Sequence, residues 1–151
     1  MNPTLTIIRG LPGSGKSQLG RKLAAKTGAI LIEPDMLLIR AGVYCYEQRF
    51  FDTACDISLD LLATIGETGA DAVYADVLAT RGYVKDVIAA YRKGNYRAFL
   101  YGVSGFSVIV HDMPMLTIEQ SIERNKHNVR REDIERMAAD WESWTEFQNH
   151  R

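Results

Sequence analysis

Short apolar runs and amphipathic stretches alternate along this chain. Leu5-Thr-Ile-Ile8 is the first short run and predicts a buried strand. From about Lys16 to Lys26 the spacing becomes helical, with Leu19, Leu23 and Ala24 on one side and Gly28 as a natural stop. Residues 29–32 predict a second strand, which ends in Glu33-Pro34-Asp35, where the proline interrupts sheet pairing. A long helix is predicted over 47–65, with Phe51, Ala54, Ile57, Leu61 and Leu62 on its apolar face and Gly66 to Gly69 closing it. Ala72-Val-Tyr-Ala75 predicts a strand that delivers Asp76 at its carboxyl end. Residues 83–92 predict a helix, with Val84, Val87, Ile88 and Tyr91 on one side and Gly94 at its end. Two strand-like runs follow, 97–103 and 106–110, separated by Ser104-Gly105. Helices over 117–126 and 132–147 complete the pattern. Thr117 and Gln120 have capping-box spacing in the first, and the second carries Ile134, Met137, Ala138, Trp141 and Trp144.

Strands alternating with helices predict an α/β fold: one domain over 1–151, with a mostly parallel sheet and helices on both faces. In such sheets ligands bind outside the carboxyl ends of the strands. Three strand ends then converge on one cleft: the segment after the first strand, Asp35 and Asp76.

That first segment carries the strongest chemical signal. Gly10-Leu-Pro12-Gly13-Ser14-Gly15-Lys16-Ser17 fits the phosphate-binding pattern G-x-x-x-x-G-K-[ST] at every fixed position, between a predicted strand and a predicted helix. Backbone N–H groups and the helix dipole there favour an anion. Lys16 supplies a positive charge for the β- and γ-phosphates, and the Ser17 hydroxyl is a ligand for Mg²⁺. Gly13 and Gly15 are expected to let the backbone approach the phosphate oxygens. The chain is therefore expected to bind a nucleoside triphosphate.

Composition narrows the acceptor. With 151 residues, 46% hydrophobic and 25% charged, the chain suits a globular domain. A formal net charge of −1 argues against coating long nucleic acid and leaves local contacts, such as a strand end. Cys45 and Cys55 lack metal-ligand spacing and are expected to be buried thiols in a reducing, cytoplasmic setting. No apolar run approaches the roughly 18 residues of a membrane span. The start, Met1-Asn-Pro-Thr4, leads straight into the predicted first strand, so no targeting peptide is expected there.

Asp35 stands where an acceptor hydroxyl would meet the γ-phosphate, as a general base or, alternatively, as a turn or capping residue. Asp76 resembles a Walker-B aspartate that binds Mg²⁺, or it orients the acceptor or an arginine, or it is a strand-end turn residue. The segment Arg124-Asn-Lys-His-Asn-Val-Arg-Arg131 carries four basic side chains and no acid. It suits a small helical lid whose arginines clamp the migrating phosphoryl group, Arg124 first and Arg131 with it, although a solvated charge run balanced by Glu132, Asp133 and Glu135 has the same composition. His111 and His127 lack partners at metal-ligand spacing and are expected to be structural or solvent-facing. Trp141 and Trp144 suit core packing better than stacking on adenine. Arg40 would hold an acceptor phosphate or lie on the surface.

Together these residues resemble the kinase domain of 5′-polynucleotide kinases, the bacteriophage enzyme included, and related small P-loop kinase-like domains. The likeness rests on Ile7-Ile-Arg-Gly-Leu-Pro-Gly-Ser-Gly-Lys-Ser17, on Asp35, and on Arg124-Asn-Lys-His-Asn-Val129 continued by Ile134-Glu-Arg-Met137 and Trp141. It implies ATP and Mg²⁺, Asp35 as base toward a 5′-hydroxyl, Lys16 and Ser17 as phosphate and metal ligands, and Arg124 as the clamp. The chain departs from that family on the acceptor side. Leu38 stands where an acceptor-phosphate arginine is usual, with Arg40 two residues later, and Asp76-Val-Leu replaces Asp-Thr-Asn. The resemblance thus implies a kinase for a nucleic-acid 5′-hydroxyl. The departures keep open a hydroxymethylated base, a nucleoside or another small hydroxyl, and a nucleotide-binding module without transfer.

Overall fold

The computed structural model describes residues 2–100, 102 and 105–144. Strands β1 (Thr4–Arg9), β2 (Ile30–Ile32), β5 (Ala72–Asp76) and β6 (Ser107–Asp112) form a parallel sheet in the order β2-β5-β1-β6. Helix α1 (Lys16–Thr27) covers one face, where Leu19, Leu23 and Ala24 pack on Ile8, Val73 and Ala75. Helices α2 (Gln48–Thr68) and α3 (Arg81–Phe99) belong to the other face, whose larger core includes Leu5, Ile7, Leu62, Tyr74, Val84, Val87 and Tyr91. With apolar layers on both faces, β1 and β5 are near-continuous hydrophobic runs, as the sequence pattern implies. Between β2 and α2 lie a 3₁₀ turn, Pro34–Leu38, and a hairpin of two-residue strands, β3 (Ile39–Arg40) and β4 (Val43–Tyr44). The hairpin was not foreseen, because two-residue strands are too short to show alternation. Helices α4 (Ile118–Arg124) and α5 (Arg131–Ala139) follow β6. The Thr117–Gln120 capping box is fully formed at the start of α4.

Five expectations are corrected. Residues 97–99 belong to α3 rather than to a strand, Leu100 and Gly102 lie in turns, and residues 101 and 103 lie outside the described residues. Helix α3 passes straight through Gly94, which packs against α2 instead of ending the helix. A Cβ on Gly94 would lie 1.7 Å from the Ala63 carbonyl oxygen, and one on Gly66 would lie 2.5 Å from that of Tyr91. The two glycines let the helix backbones touch. The buried stripe of α2 is accordingly Ala54, Ser58, Leu62, Ile65 and Gly66, whereas Ile57 and Leu61 are exposed. The last helix stops at Ala139, residues 141–143, Trp141 among them, have no regular secondary structure, Trp144 is again helical, and residues 145–147 lie outside the described residues. Cys45 and Cys55 are free thiols and only half-buried.

Gly94→Ala is expected to destabilise the protein by about 1–3 kcal/mol, although alanine is the better helix former. The reason is that the obstacle is backbone and cannot rotate away. Urea unfolding of the variant checks this, and equal or higher stability would contradict the close helix contact.

Candidate functional site

The loop 10–15 leaves β1 beneath the amino end of α1, with Gly13 and Gly15 at φ 80° and 89°, a left-handed geometry that costs glycine nothing. Gly13 has a second reason to lack a side chain: a Cβ there would lie 2.7 Å from Cβ of Arg124. The sequence assigned this glycine to phosphate approach alone, but the lid also rests on it. The Ser121 hydroxyl, buried on α4, donates to the Pro12 carbonyl at 2.6 Å. Helix α4 is thus docked on the loop at two points, and Arg124, its last residue, stands at the loop's edge. Ser121 was missed because a serine in a short helix carries no local signal of a distant partner.

Beneath the loop, Arg9 is fully buried at the end of β1. Its guanidinium donates to the carbonyls of Glu142 at 2.8 Å and Ala79 at 3.0 Å, lies 3.4 Å from Asp112 Oδ1, and stacks 4.2 Å from the Trp141 ring centre. Asp112 in turn accepts from the Trp144 N–H at 2.9 Å, and Trp144 sits in the core. Arg9 therefore ties the base of the loop to the segment after α5, and Trp141 is occupied by that arginine. A charged residue closing a buried apolar run was the available signal.

Lys16 Nζ donates to the Leu11 carbonyl at 3.1 Å. Burial pulls its ammonium below the usual lysine range, while Asp76, Asp35 and Glu33 pull it back up. Asp76 is pushed up to about 6, first by burial and then by Asp35, with its bond from the Val77 N–H and the charge of Lys16 acting against the rise. Lys16 at the loop, Asp35 after β2 and Asp76 ending β5 are therefore close enough to feel one another, at one end of the sheet. Glu33, nearly buried ahead of the 3₁₀ turn, joins the same field and was not singled out from sequence. Three carboxylates against one ammonium leave an excess of negative charge. The Asp76 carboxylate and the Ser17 hydroxyl are hard oxygen donors of the kind that suits Mg²⁺, whereas among the described residues no group of three or more His, Cys, Asp or Glu side chains is placed to hold a metal ion.

Asp35 lies in the 3₁₀ turn, where Tyr44 of the hairpin donates its hydroxyl to Oδ1 at 2.9 Å. Burial and then the charge of Asp35 raise the Tyr44 phenol well above its usual range, so it remains a donor. His127 Nε2 lies 4.0 Å from Asp35 Oδ2, and its ring packs on that of Tyr44 with centres 4.1 Å apart. His127 is thus not purely solvent-facing. Arg131 pairs with Glu119 at 2.8 Å and Glu135 at 3.5 Å, bridging α4 and α5. Leu38 is 4% exposed, and Arg40 lies over Phe50 and 4.0 Å from Glu47. Within the loop the Ser14 N–H donates to the Leu11 carbonyl at 3.1 Å, and Gly10 packs closely on Ser14 and Met113.

The AAA domain family matches residues 5–145. The chain belongs to this family. The same AAA domain is similar to solved structures of low identity. One belongs to the Pnkp1/Rnl/Hen1 RNA repair complex, with 15% identity, a TM-score of 0.67, and coverage of 92% of this chain and 44% of that one. Another is a protein from Chloroflexus aurantiacus, with 18% identity, a TM-score of 0.66, and coverage of 91% and 78%. A third is a gluconokinase from Sinorhizobium meliloti, with 18% identity, a TM-score of 0.52, and coverage of 93% and 76%. The AAA domain spans less than half the length of the RNA repair chain that it matches. A comparison with curated proteins gave no match. The fold is that of the P-loop kinases. Among the described residues no helix is long and apolar enough to cross a membrane.

Proposed function

We propose that this AAA domain transfers the γ-phosphoryl group of ATP to a hydroxyl, the first candidate being the 5′-hydroxyl of a polynucleotide. One observation carries the reading: Lys16, Asp76 and Asp35 share one electrostatic cluster beside a phosphate loop on which a lid is already docked. A loop that only held nucleotide would not need two carboxylates beside it, one from the turn after β2 and one from the end of β5. In the reaction the acceptor hydroxyl gives its proton to Asp35 as its oxygen bonds to the γ-phosphorus, and the β–γ bridging oxygen leaves with ADP. Lys16 would turn from the Leu11 carbonyl to the β- and γ-phosphates, and Arg124 would place its charge on the migrating group. Ser17 and Asp76 are the residues that would hold Mg²⁺. The cation's contribution there is to neutralise phosphate charge.

The similarity to a chain of an RNA repair complex supports a polynucleotide acceptor. A second reading has its own observation. Leu38 is buried, and Arg40 is engaged by Phe50 and Glu47, so neither resembles a free acceptor-phosphate clamp. This favours a hydroxyl without a neighbouring phosphate, as in a nucleoside or a small metabolite. Incubation with Mg²⁺ and γ-labelled ATP is expected to label 5′-hydroxyl oligonucleotides in preference to nucleosides, hydroxymethylated DNA and sugar alcohols. Preferential labelling of another acceptor would replace the polynucleotide, and binding of ATP with no labelling would leave a nucleotide-binding module.

A further inference from the structure

The donor and acceptor halves of the cleft are joined by a continuous line of contacts through the lid. It starts at the Pro12 carbonyl of the phosphate loop, which accepts from Ser121 on α4. Helix α4 is followed by its cap residue Asn125, whose side chain staples the next turn from both sides: Oδ1 accepts from the His127 N–H at 3.0 Å, and Nδ2 donates to the Val129 carbonyl at 2.9 Å. Asn128 inside that turn has a φ of 51°, so the turn is a defined conformation that presents His127 at its tip. The His127 ring then packs on Tyr44, and Tyr44 holds Asp35 Oδ1. The gap from Nε2 to Asp35 Oδ2 is too long for a hydrogen bond, so the ring contact rather than the charge is the link.

We propose that His127 is a positioning residue that acts through Tyr44: when the lid is seated on the phosphate loop, its ring fixes the Tyr44 side chain, and Tyr44 fixes the carboxylate of Asp35 toward the acceptor. This rests on the kinase reading above and adds a coupling to it. The hairpin has a clear purpose on this view, since its second strand places Tyr44 beside Asp35 nine residues along the chain. The base is aligned only while the loop that grips ATP also holds the lid. Catalytic alignment is sensitive enough for this to matter, because a displacement of about 1 Å can cost a hundredfold in rate.

The test is a set of variants assayed for transfer from labelled ATP, with ATP affinity measured separately. His127 is 42% exposed, so its replacement leaves the core intact. His127→Ala is expected to lower kcat about tenfold with KM for ATP unchanged. His127→Phe keeps an aromatic ring on Tyr44 and is expected to restore most of the lost rate. Tyr44→Phe keeps the ring but loses the hydroxyl and is expected to match His127→Ala, and the double variant should be no worse than either single one. In parallel, the NMR signals of the Tyr44 ring should move in His127→Ala and return toward the wild-type position in His127→Phe. An unchanged kcat in His127→Ala, a loss confined to KM for ATP, equal losses in the Ala and Phe variants, or Tyr44 signals that ignore His127 would each overturn the proposal. A wild-type protein that labels no acceptor would instead overturn the kinase reading, and with it any positioning role.

Discussion

Asp35→Asn is expected to slow phosphoryl transfer by about 10²–10⁴ while ATP affinity stays within a few-fold of wild type. Asparagine is the informative replacement because it keeps the local structure. Its amide oxygen still accepts the Tyr44 hydroxyl, so the contact at 2.9 Å survives and the 3₁₀ turn is not released. What disappears is the lone pair that takes the acceptor proton. The P-loop contacts expected to grip ATP lie on β1, the loop and α1, elements that do not contain Asp35. Steady-state transfer with labelled ATP gives kcat, and calorimetric titration with a non-hydrolysable ATP analogue gives affinity. A variant that retains more than a tenth of wild-type kcat would remove Asp35 from the role of base. One that loses ATP affinity in proportion would make it a nucleotide-binding residue.

The parts of this site that were legible in the sequence are those whose signal is local. The glycine loop announces itself by spacing, and β1 and β5 by apolar runs that end where chemistry begins, at Gly10 and Asp76. Thr117 and Gln120 are legible because a capping box involves residues three apart. The features that escaped are tertiary. Gly94 has the local appearance of a helix stop, yet its role is set by Ala63, thirty-one positions away. Arg97 to Phe99 have a strand-like composition, but Arg97 pairs with Glu67 of α2 at 2.8 Å, which favours continuing the helix along its neighbour. Tyr44 and His127 meet Asp35 from a hairpin and a lid turn that share no periodicity with it. Arg9 stands in an apolar strand and finds its partners more than a hundred residues downstream, at Asp112 and Glu142. A functional site assembled at strand ends is legible strand by strand, whereas the contacts that hold its parts in register are not.

Asp76→Asn is expected to do two opposite things: stabilise the unliganded protein by about 1–3 kcal/mol at neutral pH, and reduce transfer at least about a hundredfold. The first effect follows from the rise of the Asp76 carboxyl to about 6 from its ordinary 3.8. At pH 7 the group is ionised in both folded and unfolded chains, and the folded chain carries the ionised form at a cost set by burial and by Asp35. Between about pH 6 and pH 4 the folded protein takes up this proton before the unfolded one does, so wild-type stability contributed by this group rises as the pH falls. The advantage of the asparagine variant should therefore be largest at pH 7 and shrink toward pH 4, which urea unfolding at a series of pH values would reveal. The second effect arises because the same carboxylate is the candidate Mg²⁺ ligand. Asparagine offers only a neutral oxygen to the cation. Mg²⁺ with an ATP analogue should accordingly raise the melting temperature of the wild type more than that of the variant. A variant that is less stable than wild type at pH 7 would show that Asp76 is a structural carboxylate satisfied by its surroundings. One that is more stable and equally active would separate the buried charge from the chemistry. Gain of stability with loss of activity is the signature of a carboxylate kept in an unfavourable place for what it binds.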